Sequence, residues 1–349
     1  MKINVLLNLG KKPSGAARPI VEFFNNLTMR HDIVFYKAYN PNRKGCEYFL
    51  REILGFLMKG STFTPGWIEC KFPVIIVPSY GKKWVRDADI TFFRSAHLAR
   101  DVTTWGKEKG KKVMRVSNIH MLHNPLGIPE NIIFIPSSTM VYEKLKTLYP
   151  GHKIYKVGNG VNCNFFSCKE RVYEKPGSIG MVVYGGKDSG HKGADIGFEV
   201  MKRTKEKFPY LKFFAVGLKK QKNIPDFVEF VYGTTSNEML QFYRKTDIFI
   251  YPSLEDAWPN PPMEAMACGC AVVTTDVGGV RDFAKDKETA LICNPGDVDE
   301  MTVLVEQLIN NPEYWAKLAT TGRVAIQEFD YALQAKTLER VFYEILSTD

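Results

Sequence analysis

The sequence predicts an α/β protein of two doubly wound domains in tandem, each with a mainly parallel sheet. Three observations lead there. The chain has 349 residues, enough for two ordinary domains that each bury a core. Short apolar runs alternate with amphipathic stretches of helical period, which is the rhythm of βαβ units. That rhythm breaks once, between Lys156 and Gly177, and then starts again. The expected domains are 1–165 and 178–330, with a linker over about 160–178. A closing helix over 331–349 is expected to cross back to the first domain.

In chain order, Ile3–Leu9 is a buried-strand pattern, followed by a Gly10–Gly15 loop and a helix over Ala16–Met29. Further strands fall at Ile33–Tyr36, Val74–Val77, Ile90–Phe93, Val113–Val116 and Ile132–Ile135. Tyr48–Lys59 has helical period, either to pack on a core or to dip into a membrane surface. The second series places strands at Ile179–Tyr184, Phe213–Val216, Phe227–Val231, Ile248–Tyr251, Ala271–Thr274 and Ala290–Ile292. Between them lie helices over Ala194–Phe208, Asn237–Lys245 with Ser236 as N-cap, and Pro262–Ala267. Two closing helices follow, about 299–327 with a break near Pro312, and 331–347.

Composition narrows the function classes. Hydrophobic residues make up 45% of the chain and charged residues 24%, as in globular proteins. The run 1–9 is too short for a signal peptide, and no apolar run reaches membrane-spanning length. The seven cysteines are scattered and form no CxxC pair, so neither a zinc site nor a disulfide framework is implied. A reducing, cytoplasmic setting fits, with room for peripheral attachment to a membrane. The net charge of +9 is uneven: residues 1–170 carry +14 and residues 171–349 carry −5. Such asymmetry suits an anionic partner for the first half, a membrane surface or a phosphate-bearing substrate. No nucleic-acid-binding module is recognisable, and a secreted solute-binding protein would carry a leader.

The densest signal runs from Tyr251 to Gly279. A strand ends at Tyr251, a proline-rich loop carries Glu255 and Asp256, and a helix starts near Pro262, where prolines suit the first turn. Glu264 is expected in that first turn, beside backbone amides that favour a diphosphate, and Gly269 ends the helix. This segment resembles the retaining nucleotide-sugar glycosyltransferases of glycosyltransferase family 4, which have the GT-B fold of two Rossmann-like domains. Asp256 and Glu264 hold the spacing of that family's paired acids, with Asp in place of the first Glu and Ala257-Trp258 in place of Gly-Phe.

The resemblance continues in order along the chain. Gly15, in Ser14-Gly15-Ala16-Ala17-Arg18, sits where the family has its first glycine-rich loop. Asn159-Gly160-Val161-Asn162 resembles the Asn-Gly-Val-Asp that precedes the family's linker. Gly186-Lys187 followed by Lys192-Gly193 is similar to the family's Gly-Arg and Lys-Gly, with Lys187 replacing Arg. Val231-Tyr232-Gly233 matches the segment that cradles the base. Region 40–110 matches by rhythm alone.

What the resemblance implies is transfer of a sugar from a nucleoside diphosphate to an acceptor hydroxyl with retention, in a cleft between the domains. Asp256 and Glu264 would bind the donor sugar and ribose, and Lys187 and Lys192 would stabilise the leaving diphosphate. His120, which like His123 follows the strand Val113–Val116, is the candidate catalytic-site histidine, with His97 as a weaker contender. Gly15, Gly186, Tyr232, Gly233, Trp258, Pro259 and Asn260 complete the expected donor site. No cofactor or metal is implied, since lysines and amides take a cation's role. Asp87-Ala-Asp89 imitates a metal-binding motif but precedes a strand rather than ending one. The implied partners are a nucleotide sugar and a carbohydrate or lipid-linked acceptor. The Asp256 and Lys187 departures keep a second reading open, that of an inactive member serving as a partner subunit.

Overall fold

The computed structural model describes residues 1–11, 14–38, 63–118, 127–185, 190–221 and 223–348. Two compact units divide the chain: Met1–Gly158 with Tyr331–Asp349, and Asn159–Asp330.

Unit 1 holds strands β1 (Lys2–Leu6), β2 (Asp32–Ala38), β3 (Val74–Val77), β4 (Ile90–Phe93), β5 (Lys111–Val116) and β6 (Ile132–Pro136). Its helices are α1 (Arg18–Asn25), α2 (Ala96–Thr103) and α3 (Thr139–Leu148) among the described residues. The described strands form one parallel sheet in the order β3-β2-β1-β4-β5-β6. The order reverses between β1 and β4, and ligands of such sheets bind outside the carboxyl ends of the strands at that point. Ile3, Val5, Ile33, Phe35, Ile90 and Phe92 pack beneath Ile20, Phe23 and Phe24 of α1. The last helix of the chain closes the same core through Leu338, Phe342 and Ile345, as expected of a closing helix that returns to the first domain. His31 Nε2 meets Glu339 Oε1 at 2.7 Å there.

Unit 2 repeats the plan. Its strands are β7 (Ser178–Val182), β8 (Lys212–Gly217), β9 (Val228–Tyr232), β10 (Ile248–Tyr251), β11 (Ala271–Thr275) and β12 (Leu291–Cys293). Its helices are α4 (Ala194–Lys207), α5 (Ser236–Lys245), α6 (Asn260–Ala267), α7 (Val280–Phe283), α8 (Val298–Asn310) and α9 (Pro312–Ala325); α10 (Tyr331–Ser347) is the closing helix of unit 1. The parallel order β12-β11-β10-β7-β8-β9 puts the reversal between β7 and β10. Both faces are buried, because successive side chains alternate: Phe249 and Tyr251 enter one core cluster, and Ile248 and Ile250 the other.

Three expectations are corrected. The stretch 160–178, expected as a linker, belongs to unit 2. Its apolar residues Val161, Cys163 and Phe166 are buried, and Arg171 donates to Tyr243 O at 2.7 Å and to Asp247 Oδ1 at 3.0 Å. Scattered charge along this stretch hid its role as a strap. The N-cap of α5 is Thr235 rather than Ser236, because Thr235 and Glu238 form a reciprocal capping box. And α6 starts at Asn260, two residues early, so no acid lies in its first turn and Glu264 sits one turn further in. The proposed helix over Tyr48–Lys59 lies outside the described residues. No helix among the described residues is long and apolar enough to cross a membrane.

Candidate functional site

The carboxyl ends of β7 and β10 bring several of the expected site residues of unit 2 together. β10 ends at Tyr251, and the chain turns through Pro252-Ser-Leu-Glu-Asp256 before α6 begins. Two glycines in the left-handed region fix this turn. At Gly193 (φ +67°) a Cβ would lie 1.9 Å from Pro252 O, and at Gly278 (φ +50°) it would lie 1.7 Å from Asp256 O. Any side chain at either position would push the loop off its seat. The carbonyl of His191 fastens the other edge by accepting from Leu254 N at 2.7 Å and Ser253 Oγ at 3.2 Å, so His191 acts through its backbone.

Asp256 is thereby held facing Lys192. Lys192 Nζ lies 2.7 Å from Asp256 Oδ2, and both side chains keep only 18% and 17% of their surface exposed. Tyr251 Oη donates to the same oxygen at 2.7 Å, and Trp258 N donates to Oδ1 at 3.0 Å. The ammonium also stands 5.7 Å from the centre of the Tyr184 ring. Glu264, one turn into α6, accepts from Tyr243 Oη at 2.9 Å. Burial pushes the phenols of Tyr184, Tyr243 and Tyr251 up, and the negative charge of Asp256 or Glu264 beside each pushes it further. All three are therefore neutral hydrogen-bonding groups over the physiological range.

α6 ends as expected. Gly269 (φ +77°) follows the last turn, with Cys270 N bonded to Ala265 O at 2.9 Å and Gly269 N to Met266 O at 2.9 Å. Pro259 caps the helix start in extended conformation, and Asn260 is its first residue. Trp258, expected on the donor, is 6% exposed. Its indole packs against Phe283 and Phe329 and donates to Met263 Sδ, so only its backbone faces the loop. At the end of β9, Tyr232 is 56% exposed while Gly233 lies tight against Val216 and Met239.

In unit 1, Gly15 sits in the exposed turn before α1, where Ser14 O accepts from Ala17 N and Arg18 N. His97 is exposed on α2. Asp87 pairs with Lys109 at 2.8 Å, and Asp89 accepts from Lys2 N at 2.7 Å, so both acids hold the sheet together. No group of three or more His, Cys, Asp or Glu suited to a metal occurs among the described residues. Gly186, Lys187, His120 and His123 lie outside the described residues.

Sequence reasoning missed the three tyrosines. Each looks like an ordinary strand or helix residue, and what distinguishes it is the carboxylate it meets from another element. The Tyr251–Asp256 spacing, from strand end to loop, was the available signal.

Residues 169–324, a little under half of the chain, match the family described as "Glycosyl transferases group 1". An "Uncharacterized glycosyltransferase" of Haemophilus influenzae is 27% identical over 150 residues, 40% of this chain and 42% of that protein. The "Capsular polysaccharide biosynthesis glycosyltransferase CapM" of Staphylococcus aureus is 23% identical over 146 residues, 39% of this chain and 38% of that one. The matches thus span about two fifths of these relatives' lengths. Among solved structures, the sucrose-phosphate synthase of Thermosynechococcus elongatus superposes with a TM-score of 0.74 at 14% identity, covering 100% of both chains. Anabaena Alr3699/HepE, solved in complex with UDP and glucose, gives 0.72 at 13% identity, covering 99% of this chain and 100% of its own. The fold is that of these GT-B proteins: two parallel six-stranded sheets with interspersed helices.

Proposed function

We propose that this chain is a retaining glycosyltransferase that moves a sugar from a nucleoside diphosphate donor to an acceptor hydroxyl in glycan assembly. The observation that carries the reading is the Lys192–Asp256–Tyr251 cluster at the carboxyl end of β10, with Glu264 behind it. Crevices at this point of a doubly wound sheet take nucleotides, and the stretch that matches the glycosyl transferase group 1 family contains all four residues.

The chemistry follows from who can let go of whom. Asp256 has three partners, so if Lys192 swings onto a donor diphosphate, Tyr251 and Trp258 N still hold the carboxylate in place. Its freed lone pairs can then accept from a sugar hydroxyl. Transfer breaks the bond from the anomeric carbon to the phosphate oxygen and forms one to the acceptor oxygen. The acceptor proton passes to the departing phosphate on the same face, which preserves the configuration. Lys192, with Lys187, stabilises the charge that develops on the leaving group. Glu264, held by Tyr243, is the group for ribose hydroxyls. This division of tasks needs neither a covalent intermediate nor a resident cofactor.

A second reading has one observation in its favour: the lysine and aspartate already neutralise each other, as they would in an inactive partner subunit. One experiment separates the two. Candidate nucleotide sugars are incubated with the full chain without acceptor, and nucleoside diphosphate release is measured beside thermal stabilisation. UDP-glucose is the first to try, given the HepE complex with UDP and glucose. Stabilisation with slow release supports the transferase. If no donor in a broad set stabilises the chain or is turned over, the transferase reading fails.

A further inference from the structure

Unit 1 holds a group of charges that the reaction above does not use. Arg94 follows the last residue of β4, at the point where the strand order reverses. The parallel register pairs Phe93 with Met114, so the next position on each strand brings Arg94 beside Arg115. By the alternation of strand side chains, both positions share the face of Ile90, Phe92 and Val113, on which Arg115 meets Phe23 of α1. Arg115 is 1% exposed; its guanidinium donates to Val157 O at 2.5 Å and stands 5.5 Å from the Phe23 ring centre. Arg94 is partly buried, and its Nε is shut off from solvent with no acceptor.

This is an expensive arrangement. Two like charges are neighbours, and burial pushes both guanidinium groups down from their ordinary range, with Arg94 adding to the effect on Arg115. A buried donor without an acceptor costs its full desolvation. Arg115 is anchored to backbone carbonyls, so its position is structural. Arg94 is not anchored, and it lies at the mouth where this fold takes ligands. A planar guanidinium in that setting matches a phosphate or carboxylate in bidentate fashion.

We propose that Arg94 is the ligand of an anion site at the carboxyl end of β4, which takes a phosphate or carboxylate group of a bound substrate with Arg115 behind it. That the substrate is the acceptor rests on the transfer reaction proposed above; the anion site itself does not.

The test is thermal unfolding of the full chain with inorganic phosphate, glycerol 3-phosphate or gluconate, at matched ionic strength. Wild type, Arg94→Met, Arg94→Lys and Lys192→Gln are compared. At tenfold Kd, a probe should raise Tm of wild type by about 3–6 °C. Arg94→Met should lose that rise without lowering the ligand-free Tm, because it removes a buried donor that has no acceptor among the described residues. Arg94→Lys should keep part of the rise, and Lys192→Gln should keep it, which assigns it to unit 1. A larger rise with glycerol 3-phosphate than with phosphate would identify a phosphate monoester, and a rise with gluconate alone a carboxylate. No rise with any probe, or an undiminished rise in Arg94→Met, would overturn the site. Loss of donor turnover in Lys192→Gln with the Arg94 effect intact would leave it standing.

Discussion

At the end of β10 a lysine, an aspartate and a tyrosine satisfy one another, whereas after β4 the buried Nε of Arg94 has no acceptor among the described residues. The two sheets share one strand order, so backbone topology cannot be the source of this difference. It lies in the few residues that follow each strand. Unit 2 meets its polar groups with internal partners, so the donor binding proposed above would need Lys192 to leave Asp256. Unit 1 leaves the Nε of Arg94 without an acceptor among the described residues, the gap the proposed anion would fill. A shared scaffold therefore fixes where ligands bind, and the loops decide the chemistry.

The largest effect that would break this comparison concerns the frame of the unit 2 site. Gly278→Ala and Gly193→Ala each place a methyl under 2 Å from a backbone oxygen in a left-handed conformation. Each should destabilise unit 2 by about 2–4 kcal/mol. Urea titration followed by hydrogen exchange would locate the loss, which should spare the strands of unit 1. An equal loss in both units would mean that the turn does not set the site.

Next in size is Lys192→Ala. It should lower donor turnover by about one to two orders of magnitude, through a lost charge-assisted contact of about 1.5–3 kcal/mol. Unchanged turnover would remove the diphosphate assignment. Asp256→Asn and Glu264→Gln then divide the roles. Glu264→Gln should weaken bare nucleoside diphosphate and full donor alike, by about 1.5–3 kcal/mol for one such bond. Asp256→Asn should leave bare diphosphate binding nearly intact and weaken only the donor. Calorimetry on both ligands decides, and equal weakening by Asp256→Asn refutes the division.

Alkaline pH should separate the units without any mutation. Burial pushes the thiols of Cys163, Cys270 and Cys293 in unit 2 from 9.0 up to about 12; among the described residues of unit 1 the only cysteine is Cys70, raised to about 11. The buried thiol of Cys268 is raised further. The unfolded chain releases these protons near pH 9 and the folded chain holds them. The stability is therefore present below pH 9 and is lost as pH rises toward 12. In unit 1, Lys112 works the other way: burial lowers it from 10.5 to about 8, so folding gains stability as pH rises between those values. Thermal scans from pH 8 to 11 should show unit 2 melting earlier with each step. A parallel decline of both units would contradict the assignment.

The smallest expected effect is attachment to anionic vesicles through the basic first half. Binding should weaken with salt, since exposed charges are screened over about 8–10 Å at ordinary ionic strength. Vesicle sedimentation at two salt concentrations measures it, and salt-independent binding would argue against an electrostatic contact.

By itself the sequence determined the strands and their order of appearance. Val74–Val77, Ile90–Phe93 and Ile248–Tyr251 were legible to the residue, because strands buried on both faces must be continuous apolar runs between polar turns. The spacing of Asp256 and Glu264 was legible too, since a loop and a helix of fixed length separate them. Tertiary structure alone decided the rest. That Lys192 meets Asp256 across 64 positions, that Tyr243 holds Glu264, and that residues 160–178 strap unit 2 are contacts between elements distant in sequence. Burial and partnership are properties of the packed neighbourhood, so nothing in the sequence marked Arg94, whose buried Nε the fold leaves without an acceptor among the described residues.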